Sequence, residues 1–169
     1  MSLRPISELL ADARAGGYAV GYFESWNLES LQGVVDAAEQ TRSPVIIGFN
    51  GEFLTGPDRL AAERLAAYGA LGRQVAQSAT VPCGLIFNEC PSDTHVRQAV
   101  TAGFNLVMLA DPEATPADYL RRVGDLVRFA HAHGAAVEAE LGELPCGASG
   151  TVVRGHDAMT DPEEAARFV

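Results

Sequence analysis

Apolar and polar positions alternate along this chain on two length scales. Short apolar runs cover residues 19–23, 45–49, 82–87, 105–109 and 136–141, and each is bounded by turn-forming residues. Between them lie longer stretches with apolar residues three and four apart: 6–15, 28–41, 60–78, 94–102, 116–133 and 161–169. The short runs predict strands and the longer ones helices. Punctuation supports the division: Gly16-Gly17 ends the first helix, Asn27 is placed to cap the second, and Pro44 and Gly51 bracket the second strand. Gly103 and Gly134 follow later helices, and Asp161-Pro162-Glu163-Glu164 supplies a cap, a first-turn proline and early acids for the last one.

Regular strand–helix alternation predicts a parallel sheet covered by helices. No glycine-rich dinucleotide fingerprint follows the first strand, and the repeat length is even, so the pattern favours a (β/α)8 TIM barrel over a doubly wound sheet. Five βα units are present where a closed barrel has eight in about 250 residues. Residues 1–169 therefore read as a single barrel domain lacking its C-terminal βα units.

Composition narrows the chemistry. The net charge of −10 opposes binding to nucleic acid or to anionic membranes, which both draw affinity from clustered basic side chains. No apolar run approaches the roughly 18 residues of a membrane span, and residues 1–5 lack the plan of a signal peptide, so the expected location is cytoplasmic. Cys83, Cys90 and Cys146 are an odd number without paired spacing, which suits reduced thiols rather than a disulfide framework. All twelve Lys+Arg residues are arginine, so this chain cannot carry an imine-forming lysine.

Several segments together carry a family resemblance. Glu8-Leu9-Leu10, Gly16-Gly17-Tyr18-Ala19-Val20-Gly21, Asn27-Leu28-Glu29 and Ser43-Pro44-Val45-Ile46-Ile47 open the series. Val81-Pro82, the run from Gln98 to Phe104, Val107-Met108 and the run from Ala130 to Gly134 continue it, and the runs from Val137 to Gly142 and from Thr160 to Ala165 complete it. In order and spacing they resemble the class II, metal-dependent fructose- or tagatose-bisphosphate aldolases. The resemblance implies a barrel, a small-molecule sugar-phosphate substrate, a divalent metal (zinc in the family), carbon–carbon lyase chemistry and a homo-oligomer.

The same resemblance locates departures. At the end of strand three the family has a general-acid aspartate and a zinc-binding histidine; those positions are Asn88, the catalytic position by resemblance, and Glu89. Asparagine has no proton to give at neutral pH, whereas glutamate still binds a harder cation such as Mg²⁺ or Mn²⁺. After strands one and two the family commonly has asparagine and serine, and this chain has Glu24 and Asn50. Strand four ends in Ala110-Asp111 instead of Asp-Gly, and the stretch from Pro145 to Gly150 lacks the family's loop glutamate, the general base. Asn27 and Asn50 are the expected substrate-binding residues, and Glu89 and Glu140 the expected metal ligands.

Barrel sites are built from the C-terminal ends of strands, which here offer Glu24, Asn50, Asn88, Glu89, Asp111 and Glu140. On strand five, Val137, Ala139 and Leu141 suit the helix-facing side, which turns Glu138 and Glu140 inward, where unpaired carboxylates need an arginine, hydrogen-bond donors or a cation. His131 and His133 suit a helix end, His95 begins a helix at the surface, and His156 sits in an irregular stretch within reach of a ligand. Trp26 either lines the mouth or packs on its rim. Three functions remain open: an aldolase-like lyase, a diverged divalent-metal enzyme forming an enolate from a 2-oxo acid, and a non-catalytic sugar-phosphate-binding relative.

Overall fold

The computed structural model describes residues 2–56, 64–141 and 160–169. Its strands are β1 (Gly21–Glu24), β2 (Val45–Asn50), β3 (Cys83–Cys90), β4 (Leu106–Leu109) and β5 (Ala136–Glu138), all parallel and in the order β1-β2-β3-β4-β5. The helices are α1 (Ile6–Gly16), α2 (Leu28–Thr41), α3 (Gly51–Thr55), α4 (Leu65–Ser78), α5 (Asp93–Ala102), α6 (Pro116–Ala132) and α7 (Pro162–Phe168). Strands laid side by side in chain order form an arc of a barrel; a doubly wound sheet would reverse direction partway.

Several segments differ from the sequence expectation. β3 runs on to Cys90, three residues past the expected end at Phe87. The helix expected over 60–78 is described from Leu65 to Ser78; residues 60–63 of that expectation lie outside the described residues. Strand five stops at Glu138, where its pairing with Met108 ends, rather than at Leu141. The short helix α3 was not anticipated, because five residues are too few to show a period of 3.6.

The sheet has two dissimilar faces. Its outer face packs on the helices through Ile47, Phe49, Leu85, Phe87, Cys90, Val107 and Leu109, together with Leu31, Ala76, Val96, Phe104 and Leu126, all buried. The inner face carries a smaller cluster at the N-terminal halves of the strands: Ile46, Ile86 and Leu106, closed from below by Ile6 and Leu9 of α1. Gly84 permits that closure, since a Cβ there would meet Ile6 Cδ1 at 2.5 Å. Complete burial of Leu9 contributes about 2 kcal/mol by transfer from water. Asn105 ties the same end together: its Oδ1 accepts from the Leu85 N–H at 2.8 Å and its Nδ2 donates to the Arg4 carbonyl at 2.7 Å. With the N-terminal end of the arc plugged by apolar side chains, polar residues are left to the C-terminal end.

Candidate active site at the C-terminal ends of the strands

The site is organised by an irregularity in β3. Between Phe87↔Val107 and Cys90↔Leu109 the chain takes three steps along β3 for two along β4, so β3 contains a bulge of one residue. Glu89 sits in it with φ +50°, in the left-handed region that a non-glycine residue occupies at a cost. Phe87 and Cys90 both enter the outer core, so the extra residue resets the alternation. Without it Glu89 would share the helix-facing side with Phe87. Gly51 lets the bulge approach β2, because a Cβ there would lie 2.5 Å from Cys90 Cβ and 2.9 Å from Phe87 Cζ.

Glu89 thereby meets the end of β2. Asn50, 5% exposed, donates from Nδ2 to Glu89 Oε2 at 2.8 Å, while its Oδ1 accepts the Phe53 N–H at 3.1 Å and caps α3. Asn88, also buried, pairs in register with Asn50 across β2 and β3. On β1, Tyr22 and Glu24 share one side of the strand, and the Tyr22 phenol donates to Glu24 Oε2 at 3.3 Å.

Electrostatics join these groups. Burial raises the Glu24 carboxyl above its ordinary range; hydrogen bonds from Asn50 and Tyr22 act against that, and the charge of Glu89 adds to it. Glu138 is open to solvent on one side, yet the protein around it, followed by Glu89, raises its carboxyl as well. The Tyr22 phenol is pushed up by burial first and then by Glu24, Glu89 and Glu138. Among the described residues no arginine pairs with Glu24, Glu89 or Glu138.

The other expected residues are placed as follows. Glu140 lies beside Tyr119, whose phenol hydrogen-bonds to the Glu140 main chain and donates to the Leu109 carbonyl at 3.0 Å. Glu138, two residues earlier at the end of β5, feels the charge of Glu89. Asp111 is held by Arg122 at 2.6 Å, and that guanidinium keeps its carboxyl below the usual range. Arg122 also binds Asp93 and the Pro91 carbonyl, so it clamps the segment after the bulge to the end of β4. The Asn27 Oδ1 accepts the Ser30 N–H at 2.8 Å in a capping box on α2. Trp26 is 57% exposed and packs edge-on against Phe53 at the rim.

Of the histidines, His133 ends α6 with Nδ1 2.8 Å from the Phe129 carbonyl, and His131 lies in the last turn of the same helix, as helix-end roles require. His95 is half-buried rather than exposed, because α5 starts at Asp93 and draws it into the helix. Cys83 and Cys90 are free thiols in the core; burial pushes the Cys83 thiol up to about 11. Cys146, His156 and the stretch from Pro145 to Gly150 lie outside the described residues.

The donors at the mouth are carboxylates and amides, which fit a hard divalent cation better than a histidine-bound zinc. Among the described residues no three His, Cys, Asp or Glu side chains gather closely enough to hold an ion by themselves. Tyr22 and Glu138 were the partners that sequence reasoning undervalued. The signal for Tyr22 was present in its spacing of two from Glu24, whereas the coupling of Glu138 to Glu89 depends on the bulge.

Comparison with known proteins agrees with this geometry. Residues 4–169 match the family described as fructose-bisphosphate aldolase class-II. The chain is 36% identical over 168 residues to a fructose-bisphosphate aldolase from Thermus caldophilus, covering 96% of this chain and 51% of that protein. Its structure is similar to the YdjI aldolase from Escherichia coli K12, with a TM-score of 0.78 and 32% identity over 98% of this chain and 55% of that one. The fold is also that of the fructose-bisphosphate aldolase from Campylobacter jejuni, with a TM-score of 0.74 and 24% identity over 96% of this chain and 52% of that one. The chain thus spans about half the length of these relatives. Five consecutive parallel βα units with a polar mouth, matched over nearly their whole length by these proteins, make this chain a member of the class II fructose-bisphosphate aldolase family.

Proposed function

We propose that the protein is a class II aldolase-like lyase that acts on a phosphorylated ketose through a metal-stabilised enediolate, with activity reduced by its own strand ends. The observation that carries this reading is the pair Asn88 and Glu89 at the end of β3, with Glu89 turned by the bulge onto Asn50. A divalent cation held at this mouth would supply a Lewis acid at the ketose oxygen. Glu89 and Glu140 are the residues we assign to hold it. Asn88 occupies the place of a proton donor but only hydrogen-bonds, so proton transfer at the sugar hydroxyl is slowed. By the same family membership we assign the protein to the cytoplasm, as a single barrel domain working in a homo-oligomer on a small-molecule sugar phosphate.

Absence of a proton at Asn88 also favours a second reading, a non-catalytic relative that binds a sugar phosphate. A coupled aldolase assay on the full-length protein, with metal analysis, separates the two. The lyase reading expects turnover well below the usual range of about 1–10³ s⁻¹, since loss of a general acid costs roughly 10²–10⁴-fold. It also expects Glu89→Ala to lose metal-dependent thermal stabilisation, worth about 2.7 kcal/mol at a metal concentration 100 times Kd. No turnover, together with no metal-dependent stabilisation of the unaltered protein, would leave the binding reading.

A further inference from the structure

Asn50 does two things at once, and its geometry leaves no freedom in how it does them. The Phe53 N–H at the start of α3 needs an acceptor, and Asn50 Oδ1 provides it at 3.1 Å. That contact fixes which end of the amide is oxygen, because a flipped amide would set N–H against N–H. The Nδ2 end must therefore face the acids, where it donates to Glu89 Oε2 at 2.8 Å. It also favours the ionised form of Glu24. Burial at 5% exposure and the packing of Gly51 against Cys90 hold the amide in place. Glu89 itself is exposed, and the left-handed bulge sets only the direction in which its side chain leaves the strand, so the setting of the carboxylate group is left to the hydrogen bond from Asn50.

We propose that Asn50 is a positioning residue: it sets the Glu89 carboxylate toward the mouth from a fixed amide, and acts on cation binding only through Glu89. This assignment rests on the proposed role of Glu89 as a cation ligand. It departs from the expectation that Asn50 meets substrate directly, since both ends of its amide are engaged within the protein. Partners that orient a metal ligand typically change metal affinity by about 10–100-fold when removed.

The test separates positioning from helix capping. Asn50→Ser keeps a good N-cap for α3 but is too short to reach Glu89 in the same way, whereas Asn50→Ala removes both functions. Mn²⁺ affinity is measured by titration on the full chain for the unaltered protein, Asn50→Ser, Asn50→Ala, Glu89→Gln and Asn50→Ser/Glu89→Gln. Metal-free chemical denaturation of the same set gives the Asn50–Glu89 coupling independently. The expected result is an affinity weakened about tenfold or more in Asn50→Ser, with no further loss when the substitution is added to Glu89→Gln, and non-additive metal-free stabilities. If Asn50→Ser matches the unaltered protein in affinity, and the metal-free effects simply add, Asn50 is only a cap and the proposal is overturned. If the unaltered protein binds no Mn²⁺, the part of the proposal that acts on the cation is overturned along with the metal-based reading; non-additive metal-free stabilities then retain only the orientation of Glu89 by Asn50. Equal loss on adding Asn50→Ser to Glu89→Gln would show action by another route and overturn the proposal.

Discussion

Two groups of acids stand at the same end of the sheet and are handled in opposite ways. At the ends of β3 and β4, Asp93 and Asp111 close on Arg122, whose side chain is only 13% exposed. Along β1, β3 and β5, Glu24, Glu89 and Glu138 have for company an amide, a phenol and one another. In the first group each carboxylate has a guanidinium partner within the protein, which suits a structural clamp. In the second, proximity of like charges favours taking up a proton or a cation, which suits a site that exchanges one.

The largest effect expected from breaking this contrast is at the clamp. Arg122→Ala would leave two carboxylates facing each other without their cation and should destabilise the fold by about 3 kcal/mol, read by urea denaturation. A loss below 0.5 kcal/mol, the range of ordinary surface changes at about ±0.5 kcal/mol, would mean the clamp is a solvated surface pair instead. Next comes the bulge. Glu89→Gly relieves the left-handed backbone and one like charge but takes the acceptor from Asn50, so the metal-free stability should change by less than about 1 kcal/mol while metal-dependent stabilisation is lost. A loss of about 3 kcal/mol in the metal-free protein would make Glu89 a structural acid instead.

The smallest effect is a difference in sign with pH. Glu24 and Glu138 have raised carboxyl pKa values, so the stability they contribute is present below the unfolded value and is lost as pH rises through the folded value. Asp111 has a lowered one, so its contribution is present above the unfolded value and is lost as pH falls through the folded value. Glu24→Gln should therefore raise the melting temperature at neutral pH more than at pH 4, and Asp111→Asn should lower it at neutral pH more than under acid. Thermal melts across pH 3–8 check both, and shifts of the same sign would remove the distinction between the two groups.

Much of this was legible in the chain itself. Short apolar runs and the period of 3.6 located five strands and the main helices, because burial on both faces of a strand and on one face of a helix marks the sequence whatever the neighbours are. Capping was equally local: Asn27 and Asp161 cap α2 and α7 with side chains that reach only two or three residues along the chain. The strand ends named the candidate residues as well, since the parallel arrangement brings all C-terminal ends to one side.

What the sequence could not decide was which of those acids meet. A bulge adds one residue to β3 without altering its composition, yet it determines that Glu89 turns to Asn50 and that Cys90 returns to the core. Arg122 lies 29 residues from Asp93, and no sequence pattern names the two as partners; packing of α5 beside α6 brings them together. Glu138 ends β5 opposite Met108, and the charge of Glu89 reaches it there across the sheet, a proximity that only the assembled strands create. Local chain geometry fixes periodicity and caps, whereas the pairing of charges depends on register and on the distances between strands, and those exist only once the sheet has formed.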